Sequence, residues 1–135
     1  MLSLRKKQKE SPKVLNVLVA DDVLEIQHLV AAWLEEDGHH VSHASSGREI
    51  VRCVREHTFD LVITDIVMPD GDGWDAILAV NRLRPATRIL AISGGGQQMP
   101  ADACLRVAKG VGADAVLKKP FGRVQLMTAV EQLMR

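Results

Sequence analysis

No tyrosine occurs in the 135 residues, and phenylalanine and tryptophan number only two each. Ring surfaces on which bases or a flavin could stack are therefore scarce. Net charge is missing too: 17 Lys plus Arg balance 17 Asp plus Glu, which argues against a nucleic-acid surface spread over the whole domain. Apolar runs last only a few residues, far below the roughly 18 needed to cross a bilayer, and no charged-then-apolar leader precedes them. The expectation is a cytoplasmic chain with no membrane insertion and no direct nucleic-acid contact. Cysteine is rare: Cys53 and Cys104 lie in apolar-periodic segments without CxxC spacing. They read as small hydrophobes in a reducing compartment rather than as a disulfide or zinc ligands.

What is present is a 47% hydrophobic content over a length that supports one domain with its own core and is too short for two ordinary ones. Residues 1–13 carry Arg5, Lys6, Lys7, Lys9 and Lys13 with almost nothing apolar before Val14. They cannot bury enough surface to fold and read as a flexible basic tail, leaving 14–135 as the folded domain.

Val14 to Ala20 is a near-continuous apolar strand that stops at Asp21 and Asp22. Ile26, Leu29, Val30, Trp33 and Leu34 then repeat at helical spacing, and Gly38 supplies a stop. Asp22, three residues before Glu25, also fits a helix N-cap. His40 to Ala44 is a short edge-like strand, and Ser46 with Glu49 has capping-box spacing ahead of Ile50, Val51 and Val54. His39, His40 and His43 invite a metal reading, but adjacent strand residues point to opposite faces, which favours surface histidines.

Leu61, Val62 and Ile63 form an apolar run suited to a strand covered on both faces, and Asp65 falls at its end. The chain then breaks into MPDGDGW, with Asp72 able to cap a helix carrying Trp74, Ile77 and Leu78 that Pro85 ends. Arg88 to Ile92 is a fourth strand, ending at Ser93 and the glycines 94–96, which match neither GxGxxG nor a P-loop. Pro100 starts a helix bearing Leu105, Ala108 and Val111, closed by Gly112. Ala115 to Leu117 is a fifth strand, followed by Lys118, Lys119 and Pro120, and Leu126, Val130 and Leu133 mark the last helix. Five strands alternating with five helices specify a parallel sheet covered on both faces.

In such sheets the ligand crevice lies beyond the carboxyl ends of the strands. Asp21, Asp22, Asp65, Ser93 and Lys119 all fall at strand ends. Singly, each reads as a cap or turn residue, and Asp65 alone reads better as a strand terminator. Together they suggest one site. Clustered carboxylates repel unless a cation neutralises them, and Mg2+ suits a partly open set of oxygen ligands. Asp65 could then attack phosphorus to give an aspartyl phosphate, with the metal and Lys119 neutralising the phosphoryl oxygens.

With DD after the first strand, D and MPDGDGW after the third, S after the fourth and KPF after the fifth, the chain resembles the receiver domains of two-component response regulators over about residues 14–134. It is most similar to the single-domain, chemotaxis-regulator type. The resemblance implies a flavodoxin-like, doubly wound (βα)5 fold with strand order 2-1-3-4-5. It also implies Asp65 as phosphoacceptor, Asp21 and Asp22 as the acidic pair serving Mg2+, the Val67 backbone carbonyl as a further ligand, Ser93 as switch hydroxyl and Lys119 as the phosphate-contacting lysine. A cis bond is implied before Pro120.

By the same resemblance a histidine kinase or histidine phosphotransfer protein would be the phosphoryl donor, and a downstream protein, not identifiable from the residues, the target. The domain would be a signalling module rather than an enzyme. Departures are also visible. Val116 occupies the position where the family often has an aromatic switch. Val67 and Gly95 cannot orient a hydrolytic water by side-chain hydrogen bonding, which leads us to expect slow self-dephosphorylation. The alternative, a pseudo-receiver that works without phosphorylation, predicts loss of an acid, the hydroxyl or the lysine, and all are in place.

Overall fold

Five short apolar runs form the strands of one sheet: β1 (Asn16–Ala20), β2 (His40–Ala44), β3 (Leu61–Asp65), β4 (Arg88–Ser93) and β5 (Ala115–Lys118). They alternate with α1 (Leu24–Glu36), α2 (Gly47–Glu56), α3 (Gly73–Leu83), α4 (Ala101–Gly110) and α5 (Arg123–Leu133). The computed structural model describes residues 13–68, 73–94 and 100–135. The basic tail therefore lies almost wholly outside the described residues, as do Asp72, Gly95 and Gly96.

All strand pairs are parallel, in the order β2-β1-β3-β4-β5. This is the doubly wound flavodoxin-like arrangement, with β2 at an edge. β3 is central and buried at every position, which is why its sequence is apolar throughout rather than alternating. Side chains of successive strand residues divide the core in two. Leu18, Ala20, Val62, Ile89 and Ala91 pack with residues of α2, α3 and α4, whereas Val17, Val19, Leu61, Ile63, Leu90 and Ile92 pack with α1 and α5.

Local signals act largely as their chemistry dictates. Ser46 caps α2 by accepting the Glu49 N–H at 3.2 Å, although the Glu49 carboxylate returns to the Ser45 N–H, at 3.3 Å, rather than to Ser46. Gly38 follows α1 at φ 89°, a conformation that favours glycine. Two expectations about helix faces need correction. In α1 the buried stripe is Gln27, Val30, Ala31 and Leu34, with Leu29 exposed; in α3 Ala76, Ile77 and Val80 are buried and Leu78 is exposed. Burial thus takes in the small Ala31 and Ala76 while Leu29 and Leu78 stay at the surface. Asp22 is no cap either. α1 is preceded by Val23 without a side-chain cap, and the Val23 N–H is taken by Oδ1 of Asp21 at 2.9 Å.

Candidate functional site

The carboxyl ends of β1, β3 and β5 bring Asp21, Asp65 and Lys119 together. Strand alternation puts them in register with Val17 and Val19, Leu61 and Ile63, and Ala115 and Leu117, so all three belong to the face that carries α1 and α5. Nζ of Lys119 donates to Oδ2 of Asp65 at 2.9 Å and to Oδ2 of Asp21 at 3.0 Å. The remaining oxygens are also held: Oδ1 of Asp21 accepts from Val23 and Oδ1 of Asp65 accepts the Val67 N–H at 3.1 Å. Asp21 is fully buried and Asp65 is 6% exposed, whereas Asp22 opens to solvent.

Burial chiefly, with the Asp21 charge adding to it, pushes the Asp65 carboxyl above its ordinary range; the hydrogen bond and charge of Lys119 oppose the rise without cancelling it. Burial would pull the Lys119 ammonium down, but hydrogen bonds to Asp65 and Asp21 outweigh it and leave the group more basic than usual. Ligand oxygens of Asp21, Asp22 and Asp65 all lie within 4.8 Å of one another. One ammonium bonds two of the three carboxylates and leaves Asp22 without it, and the donors are all hard oxygens. Such a set fits a divalent cation of the Mg2+ type.

Ser93 enters differently. It is buried at the end of β4, in the row of Ile89 and Ala91, and so belongs by alternation to the opposite face from Asp65. Its backbone carbonyl accepts the Lys119 N–H at 3.0 Å, which ties the two strand ends together. The Lys119–Pro120 bond is cis, as the resemblance implied. Val116 is half-buried against the α2–α4 side of the core, and Val67 is 45% exposed. Gly95, paired with Val67 in the expectation of slow hydrolysis, lies outside the described residues.

Two positioning residues escaped sequence reasoning. Nε2 of buried Gln27 donates to the Ala44 carbonyl at 2.8 Å and the Asp21 carbonyl at 3.0 Å, and lies 3.5 Å from Oγ of Ser45. It thereby joins the ends of β1 and β2 behind the acidic pair. Gly73 opens α3 directly against the Asp65 backbone. A Cβ there would collide with the Asp65 carbonyl oxygen and meet Ile66 Cα at 2.7 Å, while the Gly73 N–H donates to the Ile66 carbonyl at 2.8 Å. The sequence signal for Gly73 is a glycine at the first helical position; for Gln27 it is an amide three residues before the buried Val30.

A parallel α/β domain with an acidic pocket at the carboxyl edge of its sheet is thus defined by both fold and side chains. Residues 17–131 match the family model described as response regulator receiver domain, and the chain belongs to that family of two-component signalling proteins. It is 34% identical over 118 residues to the DNA-binding transcriptional regulator NtrC of Azospirillum brasilense, covering 87% of this chain but 24% of that protein. It is 30% identical over 119 residues to the response regulator receiver protein CpdR of Brucella abortus, covering 87% of this chain and 95% of the relative. The chemotaxis response regulator CheY4 of Vibrio cholerae superposes with TM-score 0.78 at 28% identity, over 90% of this chain and 99% of that one. The chain thus spans well under half of some curated relatives and nearly all of others. Among the described residues no helix is long and apolar enough to cross a membrane.

Proposed function

We propose that residues 14–135 form a phosphoryl-accepting switch in which Asp65 is the phosphoacceptor and a histidine kinase or histidine phosphotransfer protein is the donor. The observation that carries this reading is the double hydrogen bond of Lys119 to Asp65 and Asp21 beside the solvent-facing Asp22. The Asp65 carboxylate is held at both oxygens at the carboxyl end of β3. Attack by one of its oxygens on a phosphohistidine would form the O–P bond as the P–N bond breaks, and the imidazole would leave with the bonding pair and take up a proton. Lys119 would turn from its carboxylate partners to the new phosphoryl oxygens, which need a countercharge at the same place.

Asp21, Asp22, Asp65 and the Val67 backbone carbonyl would hold Mg2+, which supplies positive charge to the phosphoryl oxygens when bound. Ser93 would follow the phosphoryl group as a hydroxyl donor. Because Val116 has no ring to swing, movement at Ser93 and at its backbone link to Lys119 would carry the signal toward a protein target. Exposed, apolar Val67 offers no hydrogen bond to an attacking water, consistent with slow loss of the phosphoryl group.

Labelling with acetyl phosphate or phosphoramidate in the presence of Mg2+ tests the assignment. Wild type should gain one acid-stable, base-labile phosphoryl group and Asp65→Asn none. Equal labelling of the two proteins would remove Asp65 as nucleophile. A half-life of seconds at neutral pH would overturn the expectation of slow hydrolysis.

A further inference from the structure

Away from the acidic pocket, α2 presents Arg48, Arg52 and Arg55 at i, i+4 and i+7. That spacing places them along one helix face over about 10 Å. All three are exposed, and none of them takes part in an ion pair among the described residues. They border a groove of about 680 Å³ between α2 and α3, whose floor includes Val51, Ala76 and Ala79. Arginine forks can bind carboxylates in pairs of parallel hydrogen bonds, and small floor residues allow close approach of another backbone.

We propose that this groove docks an acidic amphipathic helix of a partner protein, with carboxylates meeting Arg48, Arg52 and Arg55 and small apolar side chains resting on Val51, Ala76 and Ala79. A helix with Glu or Asp at i, i+4 and i+7 repeats the arginine spacing. Charge complementarity then fixes its register along α2, and the apolar floor supplies the dehydrated contact. Glu56 and Asp75 line the same groove, so an occupant must set its negative charges opposite the arginines and keep them off these two acids, which spaced side chains on a helix can do and an unbroken row of phosphates cannot; no aromatic side chain lines the groove to stack on a base. The chemistry therefore favours an acidic protein segment over nucleic acid. Nothing in the proposal depends on phosphorylation of Asp65.

The test uses the full chain and a fluorescein-labelled synthetic helix carrying Glu at i, i+4 and i+7 with Ala and Leu on the adjoining face. Binding is followed by anisotropy and by backbone-amide NMR. The peptide should bind in a salt-sensitive manner and shift amides of 47–56 and 73–83. Its Gln-substituted analogue should bind at least tenfold more weakly. Combined Arg48→Glu, Arg52→Glu and Arg55→Glu should lose at least tenfold, the milder Arg52→Gln a smaller part, and Arg106→Glu on exposed α4 almost nothing. Circular dichroism melts check that each variant is folded. Absence of binding at millimolar peptide, shifts confined to other elements, or equal loss in Arg106→Glu would overturn the proposal. So would a DNA duplex that displaces the peptide and binds more tightly through the same arginines.

Discussion

The Lys119 ammonium stands 2.9 Å from Oδ2 of Asp65 and spans to Asp21, so one cation holds two buried carboxylates from different strands. Replacing it by methionine keeps length and removes the charge. Both carboxylates then lose their partner, and the metal-free Lys119→Met variant should be about 2 kcal/mol less stable at neutral pH, below the value for a fully buried pair because the lysine keeps some solvent. Since the folded-state pKa of Lys119 is raised, its contribution is fully present below about pH 10 and is lost as pH rises through the folded value. Urea melts of both proteins at neutral and strongly alkaline pH should show the gap closing in alkali.

Asp65→Asn should act in the opposite sense on the metal-free fold. The Asp65 pKa is raised chiefly by burial, so its ionised form is disfavoured despite Lys119. With a raised folded-state pKa, the aspartate favours the fold below about pH 4, and that advantage disappears as pH rises through the folded value. The amide carries no such charge. The variant should therefore be more stable than wild type at neutral pH, with the difference shrinking on acidification. Chelator-containing denaturant titrations across the acid range measure this directly.

Which parts of this architecture were legible beforehand follows from the physics of each signal. Asp21, Asp65 and Lys119 could be placed because a parallel sheet brings strand carboxyl ends to one edge, so local patterning implied a non-local meeting. Strand identity in β3 was similarly clear, since burial on both faces writes an unbroken apolar run. Helix phase was not. Leu29 is more hydrophobic than Ala31, yet it is 49% exposed and Ala31 only 3%, so the apolar spacing alone left the phase of the buried stripe open by one position. Asp22 fitted a cap by spacing, but the Asx-type bond from Val23 to Asp21 set the chain's entry into α1. Gln27 was silent because its acceptors, the carbonyls of Asp21 and Ala44, lie 6 and 17 residues away at two strand ends that only the folded sheet brings side by side.

Asp22 is exposed and, unlike Asp21, contributes no bond to Lys119, so Asp22→Ala should leave the metal-free melting curve within about 0.5 kcal/mol of wild type. Its effect belongs to the cation. Mg2+ at a hundred times its dissociation constant should stabilise wild type by about 2.7 kcal/mol and the variant by far less at the same concentration. An equal Mg2+-induced shift in the two proteins would remove Asp22 from the ligand set.

Gly73→Ala tests how tightly the Asp65 backbone is boxed in. The added methyl would collide with the Asp65 carbonyl and Ile66, both backbone and therefore unable to swing aside. Relief requires α3 to move away from β3 or the strand end to tilt. A loss of about 1–3 kcal/mol is expected, together with slower labelling if Asp65 is the phosphoacceptor as proposed, because overpacking here displaces Asp65 itself. Unchanged stability and labelling kinetics would show that the strand-to-helix connection has slack.

Gln27 offers the sharpest separation of shape from hydrogen bonding. Its amide nitrogen bridges the carbonyls of Asp21 and Ala44 inside the protein. Gln27→Met preserves most of the volume but removes the amide donor from both carbonyls, the Ala44 carbonyl keeping only the Asp21 N–H at 3.2 Å, which should cost about 1–3 kcal/mol. Gln27→Glu preserves shape still better, yet at neutral pH it sets an acceptor-only carboxylate against two carbonyl oxygens close to the acidic site, so it should be the less stable of the two. Burial and those carbonyls would raise the introduced acid's folded-state pKa. Its penalty should therefore grow as pH rises above the ordinary glutamate value of about 4.3 and fall on acidification, when the protonated acid can donate one of the lost bonds. Denaturant melts of the three proteins at neutral and mildly acidic pH should give wild type, then Met, then Glu in decreasing stability at neutrality, with the Glu variant recovering toward the Met variant in acid.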